Sequence, residues 1–142
     1  VGTSRMSSYM DLDNEYKGKR FRVVHCNGAM ESFEKAKKHL SRQKAKSFSR
    51  GMAHQIQRLA DGHKMTKENF PPEGDLPPQA GKKRFYALKR IPIRGYCWLS
   101  SKYPNTYFLS HYVYKDYQKL ADKDINKVCE NWVRIEENGN GR

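Results

Sequence analysis

Between Lys83 and Lys119 the side chains able to handle a phosphodiester are concentrated: Arg84, Lys89, Arg90, Arg94, His111, Lys115 and Lys119. They alternate with Tyr86, Tyr96, Trp98, Tyr107, Tyr112 and Tyr114. Cations neutralise phosphates and aromatic rings stack on bases, so a surface built from these residues suits nucleic acid. Imidazole is the usual acid or base near neutral pH, which singles out His111. Lys115 can act as a base only if its pKa falls, and a crowd of neighbouring cations favours that fall. A guanidinium fork such as that of Arg94 can hold two phosphate oxygens at once.

Three strand-like runs must position these groups: KKRFYALKRI, IRGYCWLSS and TYFLSHYVYKDYQK, separated by Pro and Gly signals that suit short turns between antiparallel strands. On an ideal strand Lys89 and Arg90 point to opposite sides, so at most one of them faces the site directly. Strict alternation puts His111 on the face of Leu109 and Val113, where it would be a satisfied core histidine if that face is buried. Tyr86, Tyr96 and Trp98 fit cross-strand packing better than base platforms.

Upstream, Arg20–His25 reads as a short strand stopped by Asn27-Gly28. Residues 32–61 change to a helical period, with Phe33, Ala36 and Leu40 on one stripe and Phe48, Met52, Ile56 and Leu59 on a second. Ser41–Lys44 interrupts the stripe, either as the turn of a helical hairpin or within one bent helix, and Gly62 supplies a stop. The basic run Lys35, Lys37, Lys38, Arg42, Lys44, Lys46 reads as a solvated face, or as a grip on ribosomal RNA. The Pro-rich stretch 69–81 can neither continue a helix nor enter a central strand, and is expected to be a connecting loop. A closing amphipathic helix spans about 122–136, with Ile125, Val128, Cys129, Trp132 and Ile135 on its apolar stripe and Asp122 and Asp124 near its positive end. His25, His39, His54 and His63 are expected to be structural.

The 28 Lys and Arg against 15 Asp and Glu give a formal charge of +13 on 142 residues, which favours polyanionic partners. No apolar run approaches the roughly 20 residues needed to cross a bilayer, and no signal-like segment opens the chain. A cytoplasmic protein without a membrane partner is expected. Cys26, Cys97 and Cys129 show no CxxC or Cys/His ligand spacing, so buried thiols are expected rather than disulfides or a zinc site. The length suits one domain. Residues 1–19 are a polar lead-in left out of the core, with 1–5 reading as a fusion remnant ahead of Met6. The domain covers 20–137 and a tail covers 138–142. The expected fold is α+β, a small antiparallel sheet in the order β-αα-βββ-α with helices on one face and the other face available.

From Arg20 to Glu136 the chain resembles the RelE/HigB-like toxins of bacterial type II toxin–antitoxin systems, within the RelE/ParE superfamily. The resemblance is carried by IQRLADGHK (56–64), by RFYALKR (84–90) followed by IRGYCW (93–98), and above all by YFLSHYVYKDYQK (107–119) leading into the last helix. Where many relatives carry a lysine pair, this chain has Tyr114-Lys115. The resemblance implies a RelE/ParE-like fold and a metal-independent endoribonuclease without cofactor, cleaving mRNA on the ribosome and restrained by an antitoxin protein. Arg94 matches the family's basic residue in the middle strand and would clamp the phosphate. His111 and Lys115 would share the acid and base roles, with Tyr114 in the catalytic set. Tyr112 or Tyr114 would stack on a base or donate to the leaving oxygen. Lys89, Arg90, Arg84 and Lys119 would hold flanking phosphates. A ParE-like poison of DNA gyrase and an RNA-binding module without catalysis are the alternatives, and neither needs Arg94, His111 and Lys115 together.

Overall fold

The middle strand of the sheet is buried on both of its faces, and that one fact organises the rest. In a computed structural model, which describes residues 12–115 and 119–139, the elements are β1 (Glu15–Lys17), β2 (Arg22–His25), α1 (Ala29–Lys37), α2 (Arg42–Ala60), β3 (Pro72–Asp75), β4 (Arg84–Arg90), β5 (Ile93–Leu99), β6 (Thr106–Tyr114) and α3 (Asp122–Trp132). The last helix continues as a π-type turn over Val133–Glu137. The six strands form one α+β sheet in the order β1-β2-β6-β5-β4-β3. All pairings are antiparallel except β2 with β6, which run parallel. The sheet is therefore mixed, not antiparallel as expected: between β2 and β6 the chain passes through two helices and three strands, and the antiparallel β4–β5–β6 meander brings β6 back in the direction of β2.

Helices cover both faces, which corrects the expectation of one open face. Ile93 and Cys97 of β5 pack with Leu88, Leu109, Val23 and the α1–α2 residues Phe33, Met52 and Ile56. Tyr96 and Trp98, with the opposite parity, pack with Phe85, Ala87, Phe108 and the α3 residues Val128 and Trp132. The apolar stripe of α3 and its terminal turn, recurring every three or four residues from Ile125 to Ile135, needs such a cover, and the second sheet face supplies it. Glu136 fastens the end of this helix: its carboxylate accepts from Trp98 Nε1 at 3.1 Å, Ser100 Oγ at 2.6 Å and the backbone N–H of Lys102 at 2.9 Å.

Other expectations shift locally. The lead-in contributes to the core from Leu12 onwards, because β1 pairs with β2 and Tyr16 is buried; residues 1–11 lie outside the described residues. The Pro-rich stretch contains β3, an edge strand, where a proline at the first position leaves no ladder bond broken. Two helices, not one bent one, form the hairpin, and Ser41 caps the second by accepting from the Lys44 N–H at 3.2 Å. Lys37 is not solvated: it is buried, pairing with Glu34 at 2.9 Å and donating to Ser49 Oγ at 3.0 Å. Cys26 and Cys97 are buried, whereas Cys129 is partly exposed. Among the described residues, no helix is long and apolar enough to cross a membrane.

Candidate functional site

β6 carries an irregularity that aims the site. Tyr96 lies opposite His111 but Cys97 lies opposite Leu109, so Ser110 is an extra residue in the ladder. Such a bulge reverses which face the following residues occupy. Leu109 stays with the α1–α2 core, while both Ser110 and His111 reach α3. The expected alternation of Leu109, His111 and Val113 on one face is therefore broken between its first two members.

That switch gathers the polar residues on one side. Arg94 sits opposite both Lys89 and Val113 in the ladders, and Tyr96 opposite His111, so Lys89, Arg94, Tyr96 and His111 share the face covered by α3. Lys115 follows the strand, its N–H donating to the Pro92 carbonyl at 2.7 Å. Arg94 is 1% exposed and Lys115 is 4% exposed. Burial, and then the charge of Arg94, hold the Lys115 ammonium below its ordinary pKa, against the pull of Asp124 and Glu73. This is the shift a lysine base requires.

The Arg94 Nε and the Tyr96 hydroxyl are both buried, and neither has a hydrogen-bond partner of good geometry among the described residues. Burial, with the nearby carboxylate of Asp124, pushes the Tyr96 phenol far above its usual pKa, and Arg94 pulls the other way. The phenol therefore stays protonated, as a donor. Two buried donors beside a buried ammonium lack an acceptor, and leaving such groups unmade costs about 1–3 kcal/mol each.

His111 is held at both ring nitrogens. Nε2 lies 3.0 Å from Asp124 Oδ1, and Nδ1 lies 2.8 Å from Ser110 Oγ, which in turn accepts from Asn131 Nδ2 at 2.8 Å. Since a carboxylate only accepts, Nε2 carries a proton, and the Ser110 hydroxyl is free to donate to Nδ1. The imidazole thus enters proton transfer only by giving up one of these bonds.

β2 pairs with β6 only as far as Leu109, and beyond it the Tyr112 N–H donates to Ser32 Oγ of α1 at 2.9 Å. A cleft of about 380 Å³ lies beside this edge, lined by His111 and Asp124 together with Lys35, His39, Tyr114, Lys123 and Lys127; it reaches the cluster at His111 and Asp124, while Arg94, Tyr96 and Lys115 lie behind them, off its lining. Tyr114 stacks on His39 with ring centroids 4.3 Å apart and stays 37% exposed. Among the described residues no group of three or more His, Cys, Asp or Glu side chains could hold a metal ion.

Of the residues singled out from the sequence, Arg94, His111, Lys115 and Lys89 come together. Lys89 faces Glu73 at 3.4 Å. Tyr114 points to the α1 side and meets the site only through the cleft. Arg90 goes to the α2 side, over the ring of Phe48. Arg84 stands at the far end of β4, paired with Asp75 at 3.7 Å, and does not belong to the cluster. Tyr112 is buried in the α1–α2 core, bonded through its hydroxyl to His25 Nε2 at 2.7 Å, so it cannot stack on a base. Lys119 is exposed, just after residues 116–118, which lie outside the described ones. Sequence reasoning missed Asp124 as a partner of His111, and Glu73, Ser110 and Asn131 altogether. Asp124 carried only the signal of an acidic first turn, and Glu73 stood in an expected loop.

Compared with known proteins, the chain matches no family model, no curated protein and no solved structure.

Proposed function

We propose that this chain is a RelE/HigB-like endoribonuclease, the cytoplasmic toxin of a type II toxin–antitoxin pair, cleaving mRNA on the ribosome and restrained by an antitoxin protein. The single observation that carries the reading is the pair of buried donors without acceptors, Arg94 Nε–H and Tyr96 O–H, beside the depressed ammonium of Lys115. A phosphate is the acceptor such a cluster suits, and the +13 charge would draw RNA towards it.

In this mechanism Lys115 takes the proton from a ribose 2′-hydroxyl. The 2′ oxygen attacks phosphorus, the P–O5′ bond breaks, and a 2′,3′-cyclic phosphate and a 5′-hydroxyl result. Arg94 and Tyr96 donate to the non-bridging oxygens as charge builds on them. Protonated His111, oriented by Asp124 and Ser110, supplies the proton to the departing 5′ oxygen. Lys35, Lys123 and Lys127 hold the strand in the cleft. A second reading, binding of RNA without cleavage, draws on the near-complete burial of Arg94 and Lys115.

The test is to add the purified chain to a translation extract and map 3′ ends on the message, for the wild type and for Arg94→Ala and Lys115→Ala. Cleavage should fall by about a hundredfold or more in each variant. Message left intact by the wild type would leave the binding reading, and cleavage retained by the double variant would remove these two residues from the chemistry.

A further inference from the structure

A second polar cleft, of about 580 Å³, opens on the opposite side of the sheet, between α2 and the end of β4. Phe48, Gln55 and Arg58 line it from one stripe of the helix, with His54 beside them, and Arg90, Ile91 and Asn69 close it from the strand side. Lys89, which belongs to the cluster around Arg94, also reaches the lining of this cleft; the other residues serve this cleft alone.

The cleft is built around Arg90. Its guanidinium lies over the Phe48 ring, 5.5 Å from the centroid. It also lies against Gly51, where any β-carbon would collide with it. A glycine in the middle of a 19-residue helix costs about 1 kcal/mol relative to alanine, so the seat for this guanidinium is made at the helix's expense. Arg90 Nε is nevertheless buried with no hydrogen-bond partner among the described residues. Gln55 is in the same condition. Its Nε2 donates to the Lys89 carbonyl at 2.9 Å, which fixes the amide orientation, and its buried Oε1 has no partner among the described residues. The cleft thus presents one fixed acceptor and one fixed donor, walled by an aromatic ring, with the cations of Arg58 and Arg90 on it.

We infer that this cleft is a nucleotide subsite, in which one base of a single-stranded RNA donates to Gln55 Oε1 and accepts from Arg90 Nε while Arg58 and His54 hold the adjoining phosphate. Every RNA base has a neighbouring donor and acceptor on one edge, and an aromatic wall suits a base face. An acidic peptide would satisfy the cations and could donate a backbone N–H to Gln55, but it has no flat ring that sets donor and acceptor side by side against the Phe48 wall. The inference rests on the nucleic-acid reading above and extends it to RNA outside the cut position.

Binding of a fluorescent 2′-O-methyl hexaadenylate, which lacks the attacking hydroxyl, measures this subsite without cleavage. An abasic hexamer of the same backbone and a hexaglutamate peptide serve as comparisons. The wild type should bind hexaadenylate more tightly than the abasic strand. Gln55→Met, close in shape, should weaken hexaadenylate about fivefold or more and leave the abasic strand unchanged. Arg58→Ala, at a partly exposed position, should weaken both and reduce the salt dependence by about one phosphate; it carries the test if Gln55→Met fails to fold. Equal binding of base-bearing and abasic strands, no binding at all, indifference to Arg58→Ala, or equal competition by hexaglutamate would each overturn the inference. Normal cleavage with unchanged binding in these variants removes this subsite alone. Arg58-dependent binding without any cleavage by the wild type removes the nuclease reading alone.

Discussion

His111 Nε2 and Asp124 Oδ1, 3.0 Å apart, join the last strand to the first turn of the last helix across the buried cluster. Asp124 also opposes the fall of the Lys115 pKa, so its charge acts on two residues of the proposed chemistry. Asp124→Asn removes that charge while keeping an oxygen for His111. The Lys115 pKa should then fall further, and the limb of single-turnover cleavage that rises with pH should move to lower pH. A limb left in place, or moved upward, would show that Lys115 is not the titrating base.

Lys115→Met tests the same residue through stability. The folded-state pKa of Lys115 is depressed, so the fold is penalised where the lysine is charged, below that pKa, and the penalty fades as pH rises towards the unfolded value of about 10.4. The variant should gain about 1 kcal/mol at neutral pH, with the gain shrinking towards pH 10, and should lose cleavage. Denaturant unfolding at a series of pH values checks the sign.

Deleting Ser110 removes the bulge. Leu109 and His111 then become neighbours on opposite faces, so His111 keeps the α3 face and its reach to Asp124 and loses only its Ser110 partner. Cleavage should fall severalfold without vanishing, and the fold should weaken by about 1–2 kcal/mol beyond any change in the ladder. The milder Ser110→Ala keeps the register and loses only the bonds to His111 and Asn131, about 1–2 kcal/mol. Thermal unfolding of the two variants side by side separates register from hydrogen bonding.

Tyr112→Phe removes the hydroxyl that bonds His25 Nε2 at 2.7 Å. The expected cost is about 1–2 kcal/mol of stability, with kcat for RNA cleavage unchanged, because this ring belongs to the core and not to the substrate surface. A loss of kcat at full stability would restore Tyr112 to the site.

Much of the fold was legible because it is local. The apolar spacing of Phe48, Met52, Ile56 and Leu59, and that of Val128, Trp132 and Ile135, makes helices by period alone. The three runs after Lys83 become β4, β5 and β6 because β-branched and aromatic residues lie between turn formers. β3 was not legible, since its sequence reads as a loop and it pairs only because β4 presents an open edge. β1 was hidden for the same reason.

By itself the sequence determined the cation-rich, aromatic character of the last three strands, the helical stripes, and the presence of Arg94, His111 and Lys115 within reach of one another along the chain. Only the tertiary structure decided that they share a face, that Tyr112 and Arg90 turn away from it, and that Asp124 and Glu73 join it. Side-chain direction in a sheet depends on register, and register here depends on one extra residue and on which helix docks against each face. Those are contacts between segments far apart in sequence, and no local period encodes them.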